Sequence, residues 1–191
     1  MRPSSRSPAT RSQPGDVEER VILVDEFDRE IGTEEKQRAH RGGRQHRAFS
    51  VFVFDREGTL LLQRRALTKY HSGGLWSNTC CGHPRPGEPV PEAARRRLRE
   101  EMGFDCELSA AFEFTYRAEF ENGLSENEYD HVLLGCFDGT PVPDPEEVDD
   151  WRWTSLGDLE ADLAADPGAY TMWLKLACEG LRHRGLPGGA W

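Results

Sequence analysis

The chain predicts an α+β fold, a mixed β-sheet covered by helices, and three observations carry that prediction. Short apolar or alternating runs of strand length recur through most of the chain. Helical periodicity appears once centrally and twice near the C-terminal end. No internal repeat is visible. At 191 residues, one domain with a sizeable core is expected. It should occupy 18–185, between a tail at 1–17 and a short C-terminal tail at 186–191. The first tail is rich in Ser, Pro and Arg and holds almost nothing apolar, the composition of a disordered segment.

The elements follow in order. VILVDE (21–26) reads as a short strand, FDREIG as a turn, and TEEKQRAHR (33–41) as a helical turn or loop. AFSVFVFD (48–55) is a continuous apolar run with β-branched and aromatic residues, the pattern of a buried strand. REG (56–58) turns the chain into TLLLQRR (59–65), its expected hairpin partner. Residues 66–88 are loop-like, with WSN as a short strand. PVPEAARRRLREEMGF (89–104) is a helix: Pro89 or Pro91 opens it, Gly103 stops it, and Leu98 and Met102 lie one turn apart. AFEFTYRAEF (111–120) alternates as a strand does. ENEYDHVLLGCF (126–137) does the same, with an apolar second half. PVPDPEEVDD (141–150) is an acidic loop, and WRWTSL (151–156) a short strand ending in a helix cap at Thr154 or Ser155. LGDLEADLAAD and YTMWLKLACEGLRHR complete the chain as two amphipathic helices.

Composition narrows the function. The formal net charge of −10 argues against a nucleic-acid backbone as partner. A phosphorylated small molecule is still accommodated where a few cations converge. No apolar run approaches the roughly 20 residues of a membrane span, and no secretory h-region follows the N-terminus. The five cysteines, Cys80, Cys81, Cys106, Cys136 and Cys178, are odd in number and irregularly spaced, and no CxxC pair exists. Reduced thiols in a cytoplasmic protein fit this pattern best.

The stretch NTCCGHPRPGE (78–88) is too irregular for core and too reactive for a linker. It opens a spaced pattern: Gly82, five residues, Glu88, seven residues, then RRLREEMGF (96–104). This resembles the Nudix box, Gly-x5-Glu-x7-Arg-Glu-U-x-Glu-Glu-x-Gly-U, where U is a bulky aliphatic residue. Gly82, Glu88, Arg96, Leu98, Glu100, Glu101 and Gly103 match, and Phe104 takes the last U. Arg97 stands where the box has glutamate. On a helix, positions 97, 100 and 101 share a face. In Nudix hydrolases that face carries carboxylates that collect metals around a diphosphate; here it carries two carboxylates and a fork-shaped phosphate donor. Such a site suits a diphosphate but is poorly equipped to break one.

Beyond the box, the chain resembles the type 1 isopentenyl-diphosphate isomerases from about residue 23 to about 177. HRAFSVFVF (46–54), LLLQRRALTK (60–69), LWSNTCCGHP (75–84), the tyrosine of FTYRA (114–118), ENE (126–128) and WRW (151–153) carry the resemblance. It implies an α/β/α-type Nudix fold acting on a small-molecule diphosphate in isoprenoid biosynthesis. The reaction would interconvert isopentenyl and dimethylallyl diphosphate by protonation and deprotonation through a carbocation-like intermediate. No nucleic acid, membrane or redox cofactor is implied, and a monomer or small homo-oligomer is expected.

The resemblance also assigns residues. Cys81 and Glu128 would be acid–base groups on opposite faces of the substrate, with Tyr116 hydrogen-bonded to Glu128 as helper. Trp153 would turn its π-face to the cation, with Trp151 on the other side of the strand. Lys36, Arg65, Lys69 and Arg97 would contact the diphosphate. His40, His46, His83, Glu126 and Glu128 would bind one divalent ion: manganese, zinc or magnesium. Glu126 and Glu128 are i, i+2 on a strand and so share a face, and mixed imidazole and carboxylate ligands suit zinc or manganese better than calcium. Glu101 would hold a second magnesium with the diphosphate, shared by a backbone carbonyl near Cys81. The spacing of His40 from His46 is one residue shorter than in the family pattern, and the intervening GGR should let the ligand reach. Cys80 reads as packing, His131 as a core histidine and His183 as a cation at a helix end, while the role of His71 is open.

Two other readings compete. A Nudix hydrolase of a nucleoside diphosphate derivative is supported by the box but opposed by Arg97 and by the CGH and ENE motifs. A non-catalytic metal-binding module would leave Cys81, Tyr116 and Trp153 without a shared purpose.

Overall fold

A computed structural model describes residues 19–120 and 122–185; the two expected tails lie outside them. The described chain runs β1 (Arg20–Val24), β2 (Glu30–Glu35), α1 (Lys36–Gly42), β3 (His46–Phe54), β4 (Leu60–Arg65), β5 (Trp76–Ser77), β6 (Cys80–Gly82), α2 (Val90–Met102), β7 (Leu108–Glu119), β8 (Ser125–Cys136), β9 (Val148–Thr154), α3 (Leu156–Ala165) and α4 (Met172–His183). The expected mixed sheet covered by helices is present. Among the described residues no helix is long and apolar enough to cross a membrane.

β3 organises the sheet. It pairs in parallel with β8 over its whole length, from His46↔Glu128 to Phe54↔Cys136, and antiparallel with β6 through Phe49, Ser50 and Val51. Its side chains alternate between two cores. Phe49, Val51 and Val53 meet Ala93, Ala94, Leu98 and Met102 of α2. Phe52 and Phe54 meet Leu159 of α3 and Leu174, Ala177 and Leu181 of α4. A strand covered on both faces reads as an unbroken apolar run, which is why 48–55 carries no polar alternation.

Several elements differ from expectation. Residues 33–41 divide: 33–35 complete β2, and α1 begins at Lys36, capped by the Glu35 carboxylate, which accepts from the N–H groups of Gln37 and Arg38 at 2.8 Å each. The hairpin from β3 to β4 is a single pair, Phe54↔Leu60. Beyond it the strands splay, and β4 pairs with β5 and β9 instead. The wedge is the stretch read as a loop. The Thr79 hydroxyl accepts from Val53 N–H at 2.9 Å and donates to Leu61 C=O at 2.7 Å, bridging the two strands. Asn78 Nδ2 donates to Val51 C=O at 3.1 Å. Residues 80–82 therefore form a strand held by β3, and its two-residue period sends Cys80 into the core and Cys81 the other way. The acidic loop is shorter than expected, because β9 begins at Val148.

The box helix is closed as its sequence demands. Pro91 lies in its first turn, and Gly103 ends it in the left-handed region at φ 74°, where a Cβ would collide with the carbonyl oxygen of Val142. Arg96 grips Glu88 with two hydrogen bonds of 2.7 and 2.8 Å, tying the loop to α2.

Candidate active site

The five expected ligands come together. The ligand atoms of His40, His46, His83, Glu126 and Glu128 all lie within 4.8 Å of one another. Gly43 ends α1 in the left-handed region at φ 58°, so the shortened spacing still brings the His40 and His46 rings to 4.8 Å between centroids. His40 Nδ1 donates to Lys36 C=O at 2.6 Å and His46 Nδ1 to Arg44 C=O at 2.8 Å. These bonds leave the Nε2 lone pairs free to face inward when the rings are neutral. Glu126 and Glu128 project from β8 on its buried face.

The cluster fits a divalent cation. His40 Nε2 and Glu126 Oε2 are both buried without a hydrogen-bond partner, yet lie 3.0 Å apart. His46 Nε2 and His83 Nε2 face each other at 3.2 Å. Burial, against the pull of Glu128, holds the His83 imidazole down at about 3, neutral and able to ligate. Burial opposes ionisation of Glu126, but the imidazoles of His40 and His71 facing it hold its carboxyl well below the usual range. Burial and the charge of Glu126 oppose ionisation of Glu128, but His46 and His83 prevail and lower it.

Glu128 stands directly opposite Tyr116 in the β7–β8 ladder. The Tyr116 hydroxyl donates to Glu128 Oε2 at 2.7 Å, while His83 Nε2 lies 2.8 Å from Oε1. Cys81 comes from β6, on the other edge of β3 from β8. Two strand spacings, about 9.5 Å, separate the two backbones in the sheet direction, and both side chains line one cavity. Burial pushes the Cys81 thiol up to about 12, so it is protonated at neutral pH. Beneath them Ser50 donates to Asp130 at 2.7 Å, and burial and the charge of Glu128 push the Asp130 carboxyl well above its usual range.

Lys36, Arg65, Lys69, Arg97 and Glu101 line the same cavity. Arg97 pairs with Glu100 at 2.8 Å, Glu101 at 2.6 Å and Glu147 at 3.2 Å; burial opposes its charge, but Glu101 and Glu100 prevail and push its guanidinium up. Lys69 pairs with Glu147 and Lys36 with Glu19 at 3.0 Å. Arg65 Nε is buried without a partner, and its Nη1 lies 3.9 Å from Cys81 Sγ. Glu101 is held on one oxygen by Arg97 and on the other by Gln63 at 3.0 Å.

The tryptophans lie otherwise than the resemblance implied. Trp153 is not part of the cavity wall; it pairs with Leu61 across the sheet and packs on the α2 core. Trp151 packs on that same core, because i and i+2 on a strand share a face. Among the described residues, the tryptophan lining the cavity is Trp173, in the first turn of α4, 4% exposed, with its Nε1–H on Ser77 Oγ at 2.9 Å. Its sequence context, YTMWLKLA, has only the signature of a core helix. His131 is also not core: it is half-buried beside Asp28 at 3.1 Å and Glu113 at 3.4 Å. His71 proves to be buried at the cavity.

Residues 44–174 match the NUDIX domain family. The chain is 60% identical over 162 residues to isopentenyl-diphosphate Delta-isomerase 1 of Aromatoleum aromaticum, covering 85% of this chain and 91% of that protein. It is 58% identical over 171 residues to the isopentenyl-diphosphate Delta-isomerase of Burkholderia multivorans, covering 90% and 96%. Among solved structures, DR0079 from Deinococcus radiodurans matches with a TM-score of 0.69 at 25% identity, over 83% of this chain and 96% of that one.

Proposed function

Because the chain belongs to the NUDIX family, among its isopentenyl-diphosphate isomerases, we propose that its cavity interconverts isopentenyl diphosphate and dimethylallyl diphosphate. One observation carries this reading: a thiol on β6 and a carboxylate on β8, on the two strands flanking β3, line one cavity whose wall also holds four cations. One of Cys81 and Glu128 gives a proton to the terminal methylene carbon, leaving a tertiary cation. The other takes a proton from the carbon two bonds away, so the double bond moves and no net proton is consumed. Tyr116 holds Glu128 in place by its 2.7 Å hydrogen bond and relays its proton. Lys36, Arg65, Lys69 and Arg97 grip the diphosphate, which stays intact. The hydrolase reading gives way because the box face carries Arg97 in place of a metal-collecting glutamate.

His40, His46, His83, Glu126 and Glu128 would hold one divalent cation, and its bound charge offsets two carboxylates buried side by side. The imidazole-rich donor set favours zinc or manganese over magnesium. Glu101 would take a magnesium ion entering with the diphosphate, using the lone pairs its two hydrogen bonds leave free. The five cysteines are all unpaired, which supports a reducing, cytoplasmic setting.

The test is proton NMR of the metal-loaded protein with isopentenyl diphosphate in deuterated water. Dimethylallyl diphosphate carrying deuterium, with no phosphate released, is expected. Absence of both isomerisation and exchange overturns the reading. The indole assignment is tested alongside. Trp173→Ala should lower kcat by roughly 30-fold, the worth of a desolvated cation–π contact of about 2 kcal/mol. Trp153→Phe should leave kcat within a few-fold. The reverse result would return the cation-facing role to Trp153.

A further inference from the structure

His71 sits in the 66–75 connection between β4 and β5, outside the five-ligand cluster, yet it is buried against that cluster. Its Nε2 lies 2.8 Å from Glu126 Oε1. With its hydrogen on Nε2, the His71 ring donates to this oxygen, which as a carboxylate oxygen only accepts. The other oxygen, Oε2, is the one facing His40 Nε2 at 3.0 Å and His46 Nε2 at 3.8 Å. The two oxygens of Glu126 are thus divided between one donor outside the cluster and the histidines inside it.

The ring that makes this contact is itself held. It stacks on Phe120 with centroids 4.5 Å apart and planes 14° from parallel, and meets Trp173 edge-on at 5.9 Å. Its Nδ1 lies 3.3 Å from Ser72 Oγ. The backbone around it is anchored too, with the Tyr70 carbonyl accepting from Asn122 Nδ2 at 2.9 Å and the His71 carbonyl accepting from Arg65 Nη2 at 3.4 Å. Arg65 and Trp173 line the substrate cavity beside it.

We propose that His71 is a positioning residue that fixes Glu126 as a one-oxygen ligand, holding Oε1 so that Oε2 alone turns toward the cation. This rests on the metal site proposed above. A ligating carboxylate left to rotate about its side-chain torsions must be ordered at the moment of binding, and partners that prevent this are worth 10- to 100-fold in metal affinity. The same ring also touches Trp173, so it links the geometry of the metal ligand to one wall of the cavity.

The experiment measures zinc affinity of the full chain by competition with a chromophoric chelator, with melting of the metal-free proteins as a check on folding. His71→Phe keeps the ring stacked on Phe120 but removes the donor, and should bind zinc about 10- to 100-fold more weakly. His71→Gln places an N–H near the position of Nε2, and should bind within a few-fold of wild type. A Phe variant that binds as tightly as wild type, or a Gln variant as weak as Phe, overturns the proposal. A second measurement needs no variant: nitrogen-15 NMR of the zinc-loaded wild-type protein should show His71 Nε2 protonated. A zinc-ligated His71 Nε2 would make it a sixth ligand and overturn the positioning role. Wild-type protein that takes up no zinc, and is indifferent to His83→Ala, would overturn the metal site itself and this proposal with it.

Discussion

Glu128→Gln should lower kcat by roughly 10²- to 10⁴-fold, the range general acid–base groups contribute. Glu128 is asked to be both a proton-transfer group and a metal ligand, so the variant must be read with its metal content. Glutamine keeps an acceptor for the Tyr116 hydroxyl, now 2.7 Å from Glu128 Oε2, but it cannot take a proton. If zinc stoichiometry is retained and kcat collapses, the loss is of proton transfer. If metal and activity fall together and added metal restores both, Glu128 is a ligand only and the acid–base assignment fails. Deuterium exchange into unreacted isopentenyl diphosphate separates the cases further, because a group that passes protons is needed for exchange as well as turnover.

Arg97→Glu should raise KM by roughly 10- to 100-fold, with a smaller effect on kcat. A charge-assisted hydrogen bond contributes about 1.5–3 kcal/mol, which corresponds to such a range. The variant also sets a carboxylate among Glu100, Glu101 and Glu147, all now within 3.2 Å of the Arg97 guanidinium, so repulsion adds to the lost contact. Arg97 spends N–H groups on these three partners but has five to give, and can still reach a phosphate oxygen. An unchanged KM would remove Arg97 from the diphosphate site and leave it as the charge balance of a carboxylate cluster. Steady-state kinetics with phosphate release monitored in parallel also show whether the restored box glutamate brings any hydrolysis.

The sequence by itself determined what depends on local pattern and on motif spacing. The apolar run at 48–55, the helix from Pro89 to Gly103 and the alternation of Glu126 with Glu128 are all readable from neighbours within one or two turns of chain. The five clustered His and Glu residues and the four cavity cations were expected from the family resemblance, whose motifs can be recognised along the chain without the fold. Tertiary structure decided what depends on residues far apart in the chain. A three-residue strand such as 80–82 has too few positions to show a period, and it exists because Thr79 and Asn78 bond to β3 and β4. The choice between Trp153 and Trp173 was invisible locally, since both occupy amphipathic segments. Only the pairing of β9 with β4 and the packing of α4 near Ser77 turn one indole into the core and the other into the cavity. His71 carried no motif at all. Its contact with Glu126 joins positions 55 residues apart in the chain, and a hydrogen bond across that separation follows from the folded backbone rather than from any local periodicity.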